Sequence, residues 1–267
     1  MPNRISTRMQ ELHSTGGKAL VVVLMLGDPD FETTFELAQI YVDQGVDVIE
    51  LGIPTSRAYL DSETMRESNS RALACSSDYQ RYLDAIGEMR AQNPEWPLNV
   101  MIYRDTVDEI GLERFCQALG DAEIDAALVA DIADQSDDFR RNLDTQLLKQ
   151  DIIPLRFMPH PFRPEQVDDL RENGRGFIIV QTMTDAEGQR KTVLPANKQT
   201  LDTLRNAGIH TPLLMAYGIK TPEHIHKCVA LGADGVVIGT VVLDAAYRLP
   251  RAEFAAMLAE LHKAVAP

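Results

Sequence analysis

At 267 residues and 45% hydrophobic, the chain is long for one ordinary core but a common length for one barrel domain, and no Pro/Gly/Ser-rich linker, repeat or low-complexity tract divides it. A formal net charge of −14, with Lys and Arg scattered, excludes the basic stripe of a nucleic-acid binder and fits an acidic, soluble surface. Three cysteines in no metal spacing, Cys75, Cys116 and Cys228, fit free thiols in a reducing compartment, with Cys116 and Cys228 buried in helical patterns.

The opening MPNRISTRMQELHSTGGKALVVVLML does not read as a secretory signal. Its apolar run, Ala19 to Leu26, is too short to span a bilayer and leads straight into the turn Gly27-Asp28-Pro29. A buried strand, a cytoplasmic location and no membrane partner are expected, with a short helix before residue 19 capping one end of the fold. Seven further short apolar runs follow at 46–53, 97–103, 126–130, 152–158, 176–182, 212–218 and 234–239, bounded by Gly, Pro and Asp and rich in Val, Ile and Leu. Continuous apolarity suits strands covered on both faces, as in a parallel sheet.

Amphipathic stretches separate the runs. FETTFELAQIYVDQG carries a stripe from Phe31 to Val42 and ends on a Gly stop signal, and DEIGLERFCQALG, SDDFRRNLDTQLLKQ, RPEQVDDLRENG, NKQTLDTLRNAG and TPEHIHKCVALG repeat the scheme. PRAEFAAMLAELHKAVA closes the set. Eight β-α units in one uninterrupted domain over residues 1–267 predict an α/β fold, a (β/α)8 TIM barrel, with an open doubly wound sheet as the alternative.

Barrel chemistry collects at the C-terminal ends of the strands. There the second run, VDVIELGI, carries Glu50, whose alternation shares a face with Val48. An acid in an apolar strand is costly unless it is solvated, paired or functional. The connection that follows reads as a long loop holding Asp61, either the N-cap of a helix beginning Asp61-Ser62-Glu63-Thr64 or a second acid folded over the mouth. Ala216-Tyr217-Gly218-Ile219 and Ile238-Gly239-Thr240 follow the seventh and eighth strands, where barrels commonly seat a phosphate on backbone N–H groups; ordinary turn glycine is the plain alternative. No metal site is visible: of the histidines only His224 and His226 are close, and i,i+2 on a helix points them apart.

With these residues in place, the chain resembles the tryptophan synthase alpha chain family over nearly its whole length. LGDPDFETT, GVDVIELGIP, the Glu50-to-Asp61 spacing, SNSRAL, LVADI, RGF, AYGIKTPEHI and LGADGVVIGTVV match in order and spacing. The resemblance implies a lyase that splits indole-3-glycerol phosphate into indole and glyceraldehyde 3-phosphate without a cofactor. It implies Glu50 as general acid/base and Asp61 facing the indole nitrogen. By the same resemblance Tyr103 lies near the site, and Thr184, Tyr217, Gly218, Gly239 and Thr240 belong to the substrate and phosphate contacts.

The chain also departs from the family pattern. The family's Asp-Pro pair in the strand-two loop, which touches the PLP-dependent beta chain, is Arg57-Ala58 here, reversing the charge. The strand-six loop lacks the usual Gly-bearing anion contact and carries Asp185 and Glu187. Val23, Met25 and Ile179 stand where the resemblance implies aromatic or hydroxyl residues. Three functions remain open on these residues: the indole-releasing lyase, a paralogue acting on a different phosphorylated aldol-type substrate in a specialised pathway, and a non-catalytic barrel that binds a ligand or partner.

Overall fold

The computed structural model describes residues 3–183 and 195–266. Its strands are β1 (Ala19–Met25), β2 (Val48–Gly52), β3 (Leu98–Ile102), β4 (Ala126–Val129), β5 (Ile153–Pro154), β6 (Arg156–Met158), β7 (Ile178–Gln181), β8 (Leu213–Ala216) and β9 (Gly235–Ile238). They form one parallel sheet in the order β5-β4-β3-β2-β1-β9-β8-β7-β6. The two ends of that order are halves of the fifth apolar run. β5 pairs with β4, Leu155 N donates to Ala127 O, and β6 then pairs with β7. One broken strand therefore closes the ring, and the eight-stave TIM barrel expected from the sequence holds.

The helices among the described residues are α1 (Arg4–Thr15), α2 (Phe31–Asp43), α3 (Glu63–Cys75), α4 (Tyr79–Gln92), α5 (Arg104–Ile110), α6 (Leu112–Asp121), α7 (Asp137–Lys149), α8 (Pro164–Asn173), α9 (Asn197–Asn206), α10 (Pro222–Ala230), α11 (Thr240–Arg248) and α12 (Arg251–Lys263). One helix per strand was too few. The connection after β2, expected as a loop, is mostly α3 and α4. In α3 the buried residues are only Met65, Ser68, Asn69 and Ala72, so the apolar stripe that reveals a helix in sequence is thin. DEIGLERFCQALG, expected as one helix, is two, because Gly111 adopts φ 91° between α5 and α6.

The strands bury both faces differently. Leu20, Val22, Leu24, Ile49, Leu51, Val100 and Ile102 pack outward against the helices, while Val21, Val23, Val48, Met101, Leu128 and Ile179 fill the barrel. Glu50 falls on the inward face with Val48, as the alternation predicts. Helix α1 closes the bottom by sending Ile5 and Met9 into the interior cluster. Burying each such side chain stabilises the fold by roughly 1.5–3 kcal/mol.

A repeated device sets the height of the staves. Asp47, Asp125 and Asp234 each precede a strand and accept the first amides of the neighbouring one: Leu20 N (2.7 Å), Leu98 N (2.9 Å) and Leu213 N (2.9 Å). Each carboxylate is held by arginine in turn, Asp47 by Arg8, Asp125 by Arg4 and Arg90, and Asp234 by Arg205. Arg4 and Arg8 belong to α1, so the plug and the strand register are fastened by the same charges. Because Asp125 is buried and satisfies two cations and a strand amide, Asp125→Ala should cost about 3–5 kcal/mol in a urea unfolding titration. Asp202→Ala, which removes the exposed partner of Lys198, should cost under about 1 kcal/mol.

Candidate active site

Glu50 is the third of the five β2 residues, two residues short of the strand end, and is 2% exposed. Its neighbours in register are Val23 on β1 and Asn99 on β3. Asn99 Nδ2 donates to Glu50 Oε2 at 2.5 Å. Burial pushes the Glu50 carboxyl up to about 7; the Asn99 hydrogen bond opposes the rise, and the nearby charge of Asp61 adds to it.

Asp61 stands one residue before the cap of α3. The cap itself is Ser62, whose side chain accepts from Met65 N, so the N-cap reading of Asp61 is corrected by one residue. Ser62 has the geometry because its extended backbone aims Oγ at the first turn, which leaves the Asp61 carboxyl free to point elsewhere. Burial raises Asp61 to about 6, against the opposing effects of the adjacent Tyr103 hydroxyl and of Arg66. Asp61 Oδ2 and the Tyr103 hydroxyl are both shut from solvent, and neither makes a well-formed hydrogen bond to another described residue.

The loop that carries Asp61 is fastened to several neighbours. Thr55 N donates to Asn69 Oδ1 (2.8 Å), and Thr55 Oγ1 donates to Asp105 (3.1 Å). The Tyr59 hydroxyl donates to Asp131 and Asp134, and its ring meets the Tyr103 ring edge-on at 5.8 Å. Arg71 on α3 grips Asp28 at 2.6 Å, tying that helix to the loop after β1. Ala58 is buried (4% exposed), so of the Arg57-Ala58 pair only Arg57 faces outward.

Glu50 and Asp61 line one cavity at the C-terminal mouth with Ser62, Tyr217, Gly239 and Thr240. Its remaining wall is apolar and includes Val23, Met101, Phe157 and Ile179. Gly239 caps α11, and a Cβ there would meet Val23 Cγ2 at 3.1 Å, so the close approach of this turn favours glycine. Tyr217 and Gly218 follow β8 with positive φ (74° and 76°), and the Tyr217 carbonyl accepts from the Thr182 hydroxyl. Gly218 and Tyr103 lie beside the cavity rather than in its wall. Thr184, Asp185 and Glu187 lie outside the described residues. Among the described residues no cluster could hold a metal ion, and no helix is long and apolar enough to cross a membrane.

Asn99, Ser62 and Phe157 were not singled out from sequence. For Asn99 the signal existed: an amide at an inward position of the apolar run PLNVMIY, on the strand after Glu50. Ser62 was read only as part of the expected cap, and Phe157 only as strand.

Fold and site together define a (β/α)8 barrel with an acid-lined mouth, holding one carboxyl poised near neutrality. The model of the tryptophan synthase alpha chain family matches residues 9–264. A tryptophan synthase alpha chain from Methanoregula boonei is 31% identical over 241 residues, 89% of this chain and 88% of that one. One from Gloeobacter violaceus is 31% identical over 248 residues, 91% and 86% of the two chains. The solved tryptophan synthase alpha chain from Legionella pneumophila subsp. pneumophila superposes with a TM-score of 0.85 at 25% identity, covering 99% of this chain and 98% of that one. A structure from Aquifex aeolicus VF5 shares the fold at a TM-score of 0.88 and 23% identity, covering 99% and 100%. The chain belongs to the tryptophan synthase alpha chain family.

The raised Glu50 carboxyl also sets a pH dependence of stability. Between its ordinary 4.5 and about 7, the folded chain keeps a proton that the unfolded chain releases. Stability therefore falls as pH rises through that window and stays lower above it. Glu50→Gln keeps an acceptor for Asn99 and removes the charge. Its stability relative to the parent should climb by up to about 3 kcal/mol between pH 4.5 and pH 8, read as parallel unfolding curves; a flat difference would contradict burial as the cause.

Proposed function

We propose that the chain is an aldehyde lyase that cleaves indole-3-glycerol phosphate to indole and glyceraldehyde 3-phosphate. The observation that carries the reading is the shared cavity: two carboxyls with raised pKa and the N-terminus of α11 at Gly239 and Thr240 line the same mouth. A substrate with an aromatic ring at one end and a phosphate at the other spans such a mouth. The phosphate is drawn to the free amides and positive dipole end of the helix, and the ring to the apolar wall.

Glu50 is given two proton transfers. Its carboxylic acid protonates indole C3, and the resulting carboxylate takes the proton of the glycerol hydroxyl on the carbon attached to C3. The bond between C3 and that carbon then breaks. Its electron pair returns to the indole ring, the hydroxyl carbon becomes the aldehyde, and Glu50 ends protonated as it began. One group that must give and then take a proton works best with a pKa near the working pH. Asp61, ionised, faces the indole N–H and stabilises the positive charge that develops there while C3 is protonated. Tyr103 holds the Asp61 side of the mouth, and Thr184, Tyr217 and Gly218 are assigned with Gly239 and Thr240 to the substrate and its phosphate.

Free indole should appear when the protein is incubated with indole-3-glycerol phosphate. Glu50→Gln should lower kcat by about 10²–10⁴-fold with little change in KM. The rate of the parent should rise as pH passes through about 6, where Asp61 ionises, and decline above about 7, where Glu50 loses its proton. No turnover with or without a beta chain would remove this reading. A second reading then stands on Val23 and Ile179: both line the cavity without a hydroxyl or aromatic group, which fits a paralogue cleaving another phosphorylated aldol-type substrate. A barrel that only binds a ligand or partner is disfavoured, since binding alone gives no reason to bury two acids.

Beta-chain docking is a separate matter. Arg57 projects from the loop a beta chain would meet, with its charge opposite to the usual acid. A beta chain matched to an acidic loop should therefore pass through size exclusion apart from this protein; co-elution would contradict that expectation.

A further inference from the structure

We propose that Ser62 is a phosphate ligand of this site, sharing the anion with Thr240; the inference rests on the phosphate reading above and extends it to a residue of the connection after β2. Ser62 Oγ and Thr240 Oγ1 are 3.0 Å apart, and both residues line the cavity that holds Glu50. Each hydroxyl stands at the start of a helix, Ser62 as the cap of α3 and Thr240 as the first residue of α11. Two helix N-termini thus converge on one point, with no side chain capping α11.

The chemistry of a hydroxyl allows both duties at once. Ser62 Oγ accepts the Met65 amide at 3.3 Å through a lone pair, and its single proton remains to be directed at an acceptor. In the bond it shares with Thr240, one of the two protons is used and the other is available. An anion between them accepts both, replacing one neutral hydrogen bond by two charge-assisted ones. Because Ser62 is joined to Asp61, seating the phosphate also fixes the segment that presents Asp61 to the ring end of the substrate.

Substitutions at Ser62 separate this role from capping. Threonine keeps the cap and the donor. Aspartate keeps the cap but has no proton to give and repels an anion. Calorimetric titration of the parent, Ser62→Thr, Ser62→Asp and Thr240→Ala with inorganic phosphate and with glycerol 3-phosphate reads the site without any turnover. The parent and Ser62→Thr should bind within about threefold of each other, while Ser62→Asp and Thr240→Ala should each weaken binding by about ten- to a hundredfold, with helical circular dichroism unchanged. If Ser62→Asp binds as tightly as the parent, Ser62 is only a helix cap and the proposal fails while the anchor at Thr240 stands. If Thr240→Ala also binds as the parent does, the phosphate reading itself fails.

Discussion

A carboxyl enclosed by the staves of an apolar barrel, with Asn99 as its N–H donor among the described residues, is the constraint on which the site depends. Water would hold Glu50 ionised at an ordinary pKa; the barrel interior removes that water, and among the described residues Asn99 Nδ2 donates in its place. The result is a carboxyl raised to about 7, which suits the two proton transfers proposed for it. Asp61, less enclosed and with Arg66 nearby, titrates first, and its charge then keeps the proton on Glu50. Two acids with the same chemistry are set to different pKa values by differences in burial and neighbours, the condition that the proposed division of roles requires.

The rest of the molecule keeps that environment in position. The carboxylates below β2, β4 and β9 pin the neighbouring strands in register, and α1 closes the floor while reaching two of the same carboxylates. A slip of one residue on β2 would turn Glu50 out among the helices and bring Ile49 inward. Above the sheet, the loop bearing Asp61 is joined to Asn69, Asp105, Asp131, Asp134 and Thr240. The pinned base and the multiple fastenings at the rim both hold the two carboxyls in one cavity.

The barrel was legible in the sequence because continuous Val/Ile/Leu runs bounded by Gly, Pro and Asp leave few alternatives, and every run became a stave. The split of the fifth run at Leu155 was not legible, since Pro154 marks an interruption without saying that pairing resumes on the other neighbour. The start of helix α3 was legible as a cap signal near Asp61, but its length was not, because it buries Ser68 and Asn69 where a helix normally buries leucine. Glu50 was conspicuous as an acid near the C-terminal end of an apolar run. Asp61 had no such contrast: the loop left it as either a helix cap or a second acid over the mouth, and the cavity lining places it at the mouth. Asn99 left a trace, an amide at an inward position of an apolar run, whereas the place of Ser62 beside Thr240 depends on contacts that spacing along the chain does not record.

The protonation of Glu50 is the point at which structure and chemistry meet, and it can be observed directly. Isotope-edited carboxyl NMR of the glutamate side chains, assigned by comparison with Glu50→Gln, should show one carboxyl titrating near 7 and shifting downward in Asp61→Asn, which removes the neighbouring charge. A Glu50 resonance titrating near 4.5, unmoved by Asp61→Asn, would contradict the account of a dry, coupled pair at the barrel mouth.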